Sequence, residues 1–227
     1  MSQIKRQFAI LFSLILLLMA VFPPSVHAAD PLDRVWFFGD STTAHLACRG
    51  GIPEHRVWSG VGNTVLFETV NRTRCVFLEE ENESVTLAEA VARVKPPILV
   101  ITLGVSGGAG LLGRERFTAI YREMLDSVRA ASPETALLVQ SILPLSDRSV
   151  AHYTRLTKEA VIEANGWIRA LCEELDIPYI DTHARLVGEN GYLPKIYQND
   201  EYMHLTQAAY AVVLDSIRQA IAAQNLF

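Results

Sequence analysis

Along the chain, short unbroken apolar runs alternate with stretches in which apolar residues return every third or fourth position. Val35-Trp36-Phe37-Phe38 is one such run, closed by Gly39-Asp40. Ile98-Leu99-Val100-Ile101-Thr102-Leu103 is a second, β-branched and continuous, and Ala136 to Ile142 is a third that stops at Pro144. Runs of this kind are what a strand buried on both faces of a parallel sheet requires. Val57-Trp58, Arg74 to Leu78 and Pro178-Tyr179-Ile180 read as shorter strands, and Glu79 to Glu83 as an acidic surface loop. Between the runs the period changes to that of a helix. Leu87, Ala90, Val91 and Val94 share one face, as do Phe117, Ile120, Tyr121, Met124 and Val128. Val161, Ala164, Trp167, Ile168, Leu171 and Leu175 predict a helix from about Thr154 to Leu175. Ala209, Val212, Val213, Ile217 and Ala220 predict a last one, capped by Thr206 and running to about Ala223. Thr42 to Cys48 is a short helical candidate.

Alternation of strand and helix over this length predicts an α/β fold with a parallel sheet and helices on both faces. No repeat, linker or low-complexity segment interrupts it, so residues 29–227 read as a single domain. In such sheets sites form outside the carboxyl ends of the strands. Ser41, the glycine-rich loop Gly104 to Gly113 and the segment after Ile142 all fall at that edge.

The first residues do not fit this pattern. Lys5 and Arg6 precede an almost wholly apolar run from Phe8 to Phe22, then Pro23-Pro24 and the small-residue sequence Val26-His27-Ala28. This is the form of a signal peptide over residues 1–28, with cleavage after Ala28 or Ala29. The run is shorter than the roughly 20 residues that span a bilayer, and no cysteine follows it to carry a lipid. The expectation is a secreted or extracytoplasmic protein without stable membrane insertion after cleavage. The mature chain then carries 18 basic against 25 acidic residues, a net charge of −7, which argues against nucleic acid or an anionic membrane surface as partner. Cys48, Cys75 and Cys172 have no metal-binding spacing. In an exported protein a Cys48–Cys75 disulfide is one expectation and three free buried thiols the other.

Two stretches carry candidate chemistry. Ser41 follows Gly39-Asp40 where a strand turns into a helix, which leaves a hydroxyl near free N–H groups or makes an N-cap serine. His204 sits in the polar loop before the last helix, with Glu201 three and Asp200 four residues earlier. A hydroxyl, an imidazole to take its proton and a carboxylate to orient the imidazole are the parts of nucleophilic acyl transfer.

Phe38-Gly39-Asp40-Ser41, together with a late acidic-x-x-His followed by Leu205-Thr206 and an aliphatic helix, resembles the SGNH/GDSL hydrolases. The resemblance runs over nearly the whole mature chain. It implies a three-layer α/β/α, flavodoxin-like fold and a serine esterase that hydrolyses carboxylic esters, with O-acetyl groups on carbohydrate as one substrate class. By the same resemblance Ser41 is the nucleophile, His204 the base and Glu201 the orienting acid, with Asp200 as its rival. Gly62 within Gly62-Asn63-Thr64 takes the second-block glycine and an oxyanion-hole place, with Gly60 as fallback. The third block departs from the family pattern: Ser106 stands at the asparagine position in Gly104-Val105-Ser106-Gly107-Gly108. Either the Ser106 hydroxyl, a Gly107 or Gly108 N–H, or Asn63 then completes the oxyanion hole. The resemblance implies no metal and no organic cofactor, and a small-molecule or carbohydrate ester as partner. The altered third block also leaves open an alternative, a sugar- or cell-wall-binding protein that kept the fold with weak or no catalysis.

Overall fold

The computed structural model describes residues 30–60, 62 and 64–226, and the predicted signal peptide lies outside them. The apolar runs become β1 (Val35–Gly39), β2 (Val57–Trp58), β5 (Ile98–Thr102), β6 (Ala136–Gln140) and β7 (Tyr179–Ile180), with β3 (Val76–Leu78) and β4 (Glu83–Val85) forming a separate antiparallel hairpin. The main sheet is parallel throughout, in the order β2-β1-β5-β6-β7. The helices are α1 (Ser41–Arg49), α2 (Leu87–Val94), α3 (Arg114–Ala131), α4 (Lys158–Leu175), α5 (Thr182–Leu186) and α6 (Gln207–Ala223).

Strand residues alternate between two cores. Val35, Phe37, Ile98, Val100, Leu138 and Ile180 pack with Leu46 of α1 and with Ala209, Val213 and Ile217 of α6. Phe38, Leu99, Ile101, Leu137 and Val139 pack with Val91 of α2, Phe117 and Tyr121 of α3, and Val161 and Ile168 of α4. This is the three-layer α/β/α arrangement: successive side chains of a strand point to opposite faces, and each face is covered by helices. Each fully buried Phe, Leu or Ile contributes about 1.5–3 kcal/mol relative to its exposed state.

The ends of the helices follow local chemistry. Thr86 and Glu89 form a capping box at α2: Glu89 N–H donates to Thr86 Oγ1 at 3.3 Å and Thr86 N–H to Glu89 Oε2 at 2.8 Å. Lys95 then leaves α2 in the left-handed region ahead of Pro96-Pro97. The long helix expected from Thr154 starts at Lys158 instead, because the Thr157 hydroxyl accepts the Ala160 N–H at 3.1 Å and caps it there. The acidic stretch Glu79 to Glu83 is the turn into β4, whose Glu83 pairs with Arg74 and Arg93. A three-residue strand of this composition has too little apolar pattern to be read from sequence.

All three cysteines are free. The Cys48–Cys75 disulfide is not formed, because Cys48 is exposed on α1, which packs on one face of the sheet, whereas Cys75 is buried in the core of the other. Burial pushes the Cys75 thiol up to about 11 and the Cys172 thiol up to about 12, so neither is a nucleophile at neutral pH.

Past β6 the chain is held by a buried side chain. Asn165 Oδ1 accepts the Ile142 N–H at 2.8 Å and its Nδ2 donates to the Ile142 carbonyl at 2.9 Å. Asn165→Leu would leave two buried backbone groups unpaired, at about 1–3 kcal/mol each. We expect its urea midpoint to fall by the equivalent of about 2–4 kcal/mol with the m-value unchanged.

Candidate active site

The order of the sheet places the site. The chain goes from β1 to β2 on one side and reaches β5 on the other, so the loops after β1 and β5 diverge and leave a crevice between them. The turn after β1 is Asp40, between Gly39 of β1 and Ser41 of α1, and the loop after β5 includes the glycine-rich stretch from Gly104.

Gly39 is in register with Thr102 across the β1–β5 ladder. A Cβ at this position would overlap both the Thr43 hydroxyl and the Thr102 carbonyl oxygen. Asp40 is buried and is the N-cap of α1, its carboxylate accepting from the Thr42 N–H at 3.2 Å and the Thr42 hydroxyl at 3.0 Å. Burial raises the Asp40 pKa, opposed by the bonds from Thr42, by the charge of His204 and by the backbone N–H of Ser106. Because Asp40 takes the cap, Ser41 is the first residue of α1 rather than its N-cap, and its hydroxyl is left for a tertiary partner.

That partner is His204. Its Nε2 lies 3.0 Å from Ser41 Oγ across a sequence separation of 163 residues. Its Nδ1 is hydrogen-bonded to the Asp200 carboxylate. With Nδ1–H donating to Asp200, the lone pair of Nε2 faces the serine, the tautomer a general base needs. Asp200 also accepts the Tyr202 N–H at 2.9 Å and the His204 N–H at 3.3 Å. Burial pushes the Asp200 carboxyl up, but the Tyr202 N–H, the His204 ring and the His204 N–H together outweigh it and hold its pKa below the ordinary 3.8.

The expectation that Glu201 orients His204 is therefore corrected. The Glu201 carboxylate pairs with Arg148, and His152 Nε2 stands 3.9 Å from it. Its backbone carbonyl accepts the Ser146 hydroxyl at 2.6 Å. The reason lies in the turn. An aspartate side chain is short enough to bond the N–H groups two and four residues on, and so folds back beneath the ring. Its neighbour then points to the other side of the loop.

The structure brings Ser106 beside Ser41: both line a cleft of about 450 Å³ with Gly107, Leu111, Tyr153 and Tyr202. The Ser106 carbonyl is occupied by the Phe67 N–H at 2.8 Å and its N–H by Asp40, whereas its hydroxyl has no hydrogen bond to another described residue. Gly62 has a φ of +70° and is exposed, and it is not among the residues that line this cleft. Asn63, the amide alternative, lies outside the described residues. Gly107, at a φ of +80°, does line the cleft.

Further side chains gather around this set of contacts. His45, one turn beyond Ser41, stands edge-on to His204 with ring centroids 4.6 Å apart. Burial first, then the charges of Arg49 and His204, lower its pKa below 6.5 against the pull of Asp200, which disfavours a second positive charge beside His204. His152 packs on Tyr202 at 4.3 Å, and Tyr153 stands edge-on to Tyr202 at 6.1 Å. The only sequence signal for this aromatic rim is Tyr202 within the His204 loop, since its partners lie some 50 residues earlier. Away from the cleft, Trp58 is core, Arg116 pairs with Glu68, and the His183 N–H donates to Ser141 Oγ, just past β6, at 2.8 Å.

A serine, an imidazole and a carboxylate in this sequence of contacts can deprotonate the serine as it attacks an acyl carbon. The fold is shared with solved structures of low identity. A GDSL-like lipase from Bacteroides thetaiotaomicron aligns with a TM-score of 0.57 at 17% identity, covering 87% of this chain and 93% of that one. A carbohydrate esterase family 3 structure from Talaromyces cellulolyticus aligns at 0.54 and 16%, covering 84% and 96%. The lipase/acylhydrolase from Enterococcus faecalis aligns at 0.54 and 15%, covering 84% and 95%. No curated protein sequence matches this chain. The sequence itself matches the GDSL-like lipase/acylhydrolase family over residues 37–212, a span that starts within β1, takes in Ser41, Asp200 and His204 and ends within α6, and the chain belongs to that family.

Proposed function

We propose that this protein is an exported serine esterase that hydrolyses carboxylic esters through an acyl-enzyme on Ser41, with acetyl groups on carbohydrate as its substrate class. The observation that carries the reading is the continuous contact from the Asp200 carboxylate through His204 to the Ser41 hydroxyl, at 3.0 Å for the last step. Ser41 Oγ attacks the ester carbonyl while His204 Nε2 takes its proton. The tetrahedral oxyanion is held by the Ser41 N–H at the start of α1, the Ser106 hydroxyl and the Gly107 N–H. His204 then gives its proton to the departing alcohol. A water, deprotonated by the same imidazole, cleaves the acyl-enzyme, releases the acid and restores Ser41. A hydroxyl on a glycine-rich loop supplies a donor where the family places an amide. The likeness to a carbohydrate esterase and the open aromatic rim support a sugar ester over a long-chain lipid.

The test is fluorophosphonate labelling of the purified protein, read by intact mass and peptide mapping. A single adduct on Ser41, lost in Ser41→Ala and in His204→Ala, is expected. A folded protein that takes no adduct, yet binds carbohydrate equally well as Ser41→Ala, would instead be the binding protein that the altered third block leaves open.

A further inference from the structure

Beside the cleft lies a second hollow of about 500 Å³ that the ester chemistry does not use, lined by residues 110–113, with Leu111 and Leu112, and by Arg114, Glu163 and Trp167. Leu111 lines both hollows, so it is a ridge between them rather than the end of either. Glu163 and Trp167 are four residues apart on α4 and share one face of it. Arg114 opens α3, which packs along α4. The Trp167 ring stands edge-on to Phe117, centroids 5.5 Å apart, so the core braces the indole from behind. Nearby arginines are paired, Arg116 with Glu68 and Arg122 with Glu174. The side chains of Arg114 and Glu163, by contrast, have no ion pair or hydrogen bond to another described residue.

We propose that this hollow is a distal subsite for a sugar ring, and that the substrate is an acylated oligosaccharide chain rather than a single acylated sugar. The inference rests on the esterase reading of Ser41. A braced indole beside one donor-rich and one acceptor side chain matches a pyranose, whose C–H face packs on an aromatic ring while its hydroxyls bond polar groups around it. An acyl tail would leave both charges desolvated without partners, and an anionic ligand would meet Glu163. One ridge residue between the two hollows suits a chain whose acyl-bearing unit sits at Ser41 and whose next units cross Leu111 to reach Trp167.

The experiment compares kcat/KM of the intact protein on 4-nitrophenyl acetate, on an acetylated monosaccharide and on O-acetylated xylo- and manno-oligosaccharides of increasing length. Wild type is expected to prefer the longer chains of one series. Glu163→Ala, Arg114→Ala and Trp167→Ala are each expected to lower kcat/KM for those chains about tenfold, the size of one lost hydrogen bond or stacking contact, mainly through KM. The same variants keep their rate on 4-nitrophenyl acetate within about twofold and carry the Ser41 fluorophosphonate adduct. The two exposed-site variants guard against a folding defect in Trp167→Ala. A wild-type rate independent of chain length in both series, or variants that lose aryl-ester and oligosaccharide activity alike, overturns the proposal. Failure of the esterase reading is distinct: no adduct and no aryl-ester turnover at all.

Discussion

Asp200→Ala is expected to lower kcat/KM for 4-nitrophenyl acetate by about 10³–10⁴, whereas Glu201→Ala leaves it within about twofold. The two residues are neighbours and both carry carboxylates, so composition does not separate them. Their contacts do. The Asp200 carboxylate bonds His204 Nδ1 and two backbone N–H groups of its own loop, and losing it frees the imidazole to rotate and removes the charge that stabilises the imidazolium. Glu201 makes an exposed ion pair with Arg148, worth about 0–1 kcal/mol. Asp200→Asn is the sharper variant. It keeps the shape and most of the turn but can donate to Nδ1, favouring the tautomer that turns Nε2–H toward the serine, and its loss is expected to be comparable. Steady-state kinetics on the four proteins decide the matter, and a large loss in Glu201→Ala with little in Asp200→Ala would reverse the assignment. The pH dependence has a definite sign. The Asp200 pKa is depressed by folding, so its contribution to stability is present above the ordinary 3.8 and fades as the pH falls through the lower folded value.

Gly39→Ala is expected to cost about 3 kcal/mol of stability, the upper end of the usual loss for forced overlap inside a packed core. The added methyl would meet the Thr43 hydroxyl, which can rotate, and the Thr102 carbonyl oxygen, which cannot. That oxygen belongs to β5, so relief requires β1 and β5 to separate where they are hydrogen-bonded. Both loops of the crevice hang from this pair of strands. Urea denaturation measures the loss, and fluorophosphonate labelling below the transition reads its effect at Ser41, where we expect slowed adduct formation in the protein that remains folded. A midpoint equal to that of wild type would show that the close approach of these strands is not needed.

Much of the architecture was legible along the chain because it depends on local pattern. The runs 35–38, 98–103 and 136–142 are strands because a strand buried on both faces must be apolar at every position, and the spacing of Phe117 to Val128 or Val161 to Leu175 holds only on a helix. Gly39-Asp40-Ser41 and His204 stood out because a hydroxyl where a strand turns into a helix, and an imidazole in a polar loop with carboxylates nearby, are the side chains that acyl transfer requires. What the chain could not show were choices made by contact. Which carboxylate serves His204 was decided by a turn that bonds Asp200 to the backbone of residues 202 and 204. The separation of Cys48 from Cys75 was decided by the sheet that runs between them, and the start of α4 by a hydroxyl at Thr157. The cleft rim joins Tyr202 to residues some 50 positions away, and the second hollow joins the first residue of α3 to one face of α4. By itself the sequence determined which segments must be buried and which side chains could react, because burial and reactivity are properties of residue types in a local pattern. Only the tertiary structure decided which of those side chains meet, because a hydrogen bond or a shared groove depends on ångström distances between residues far apart along the chain.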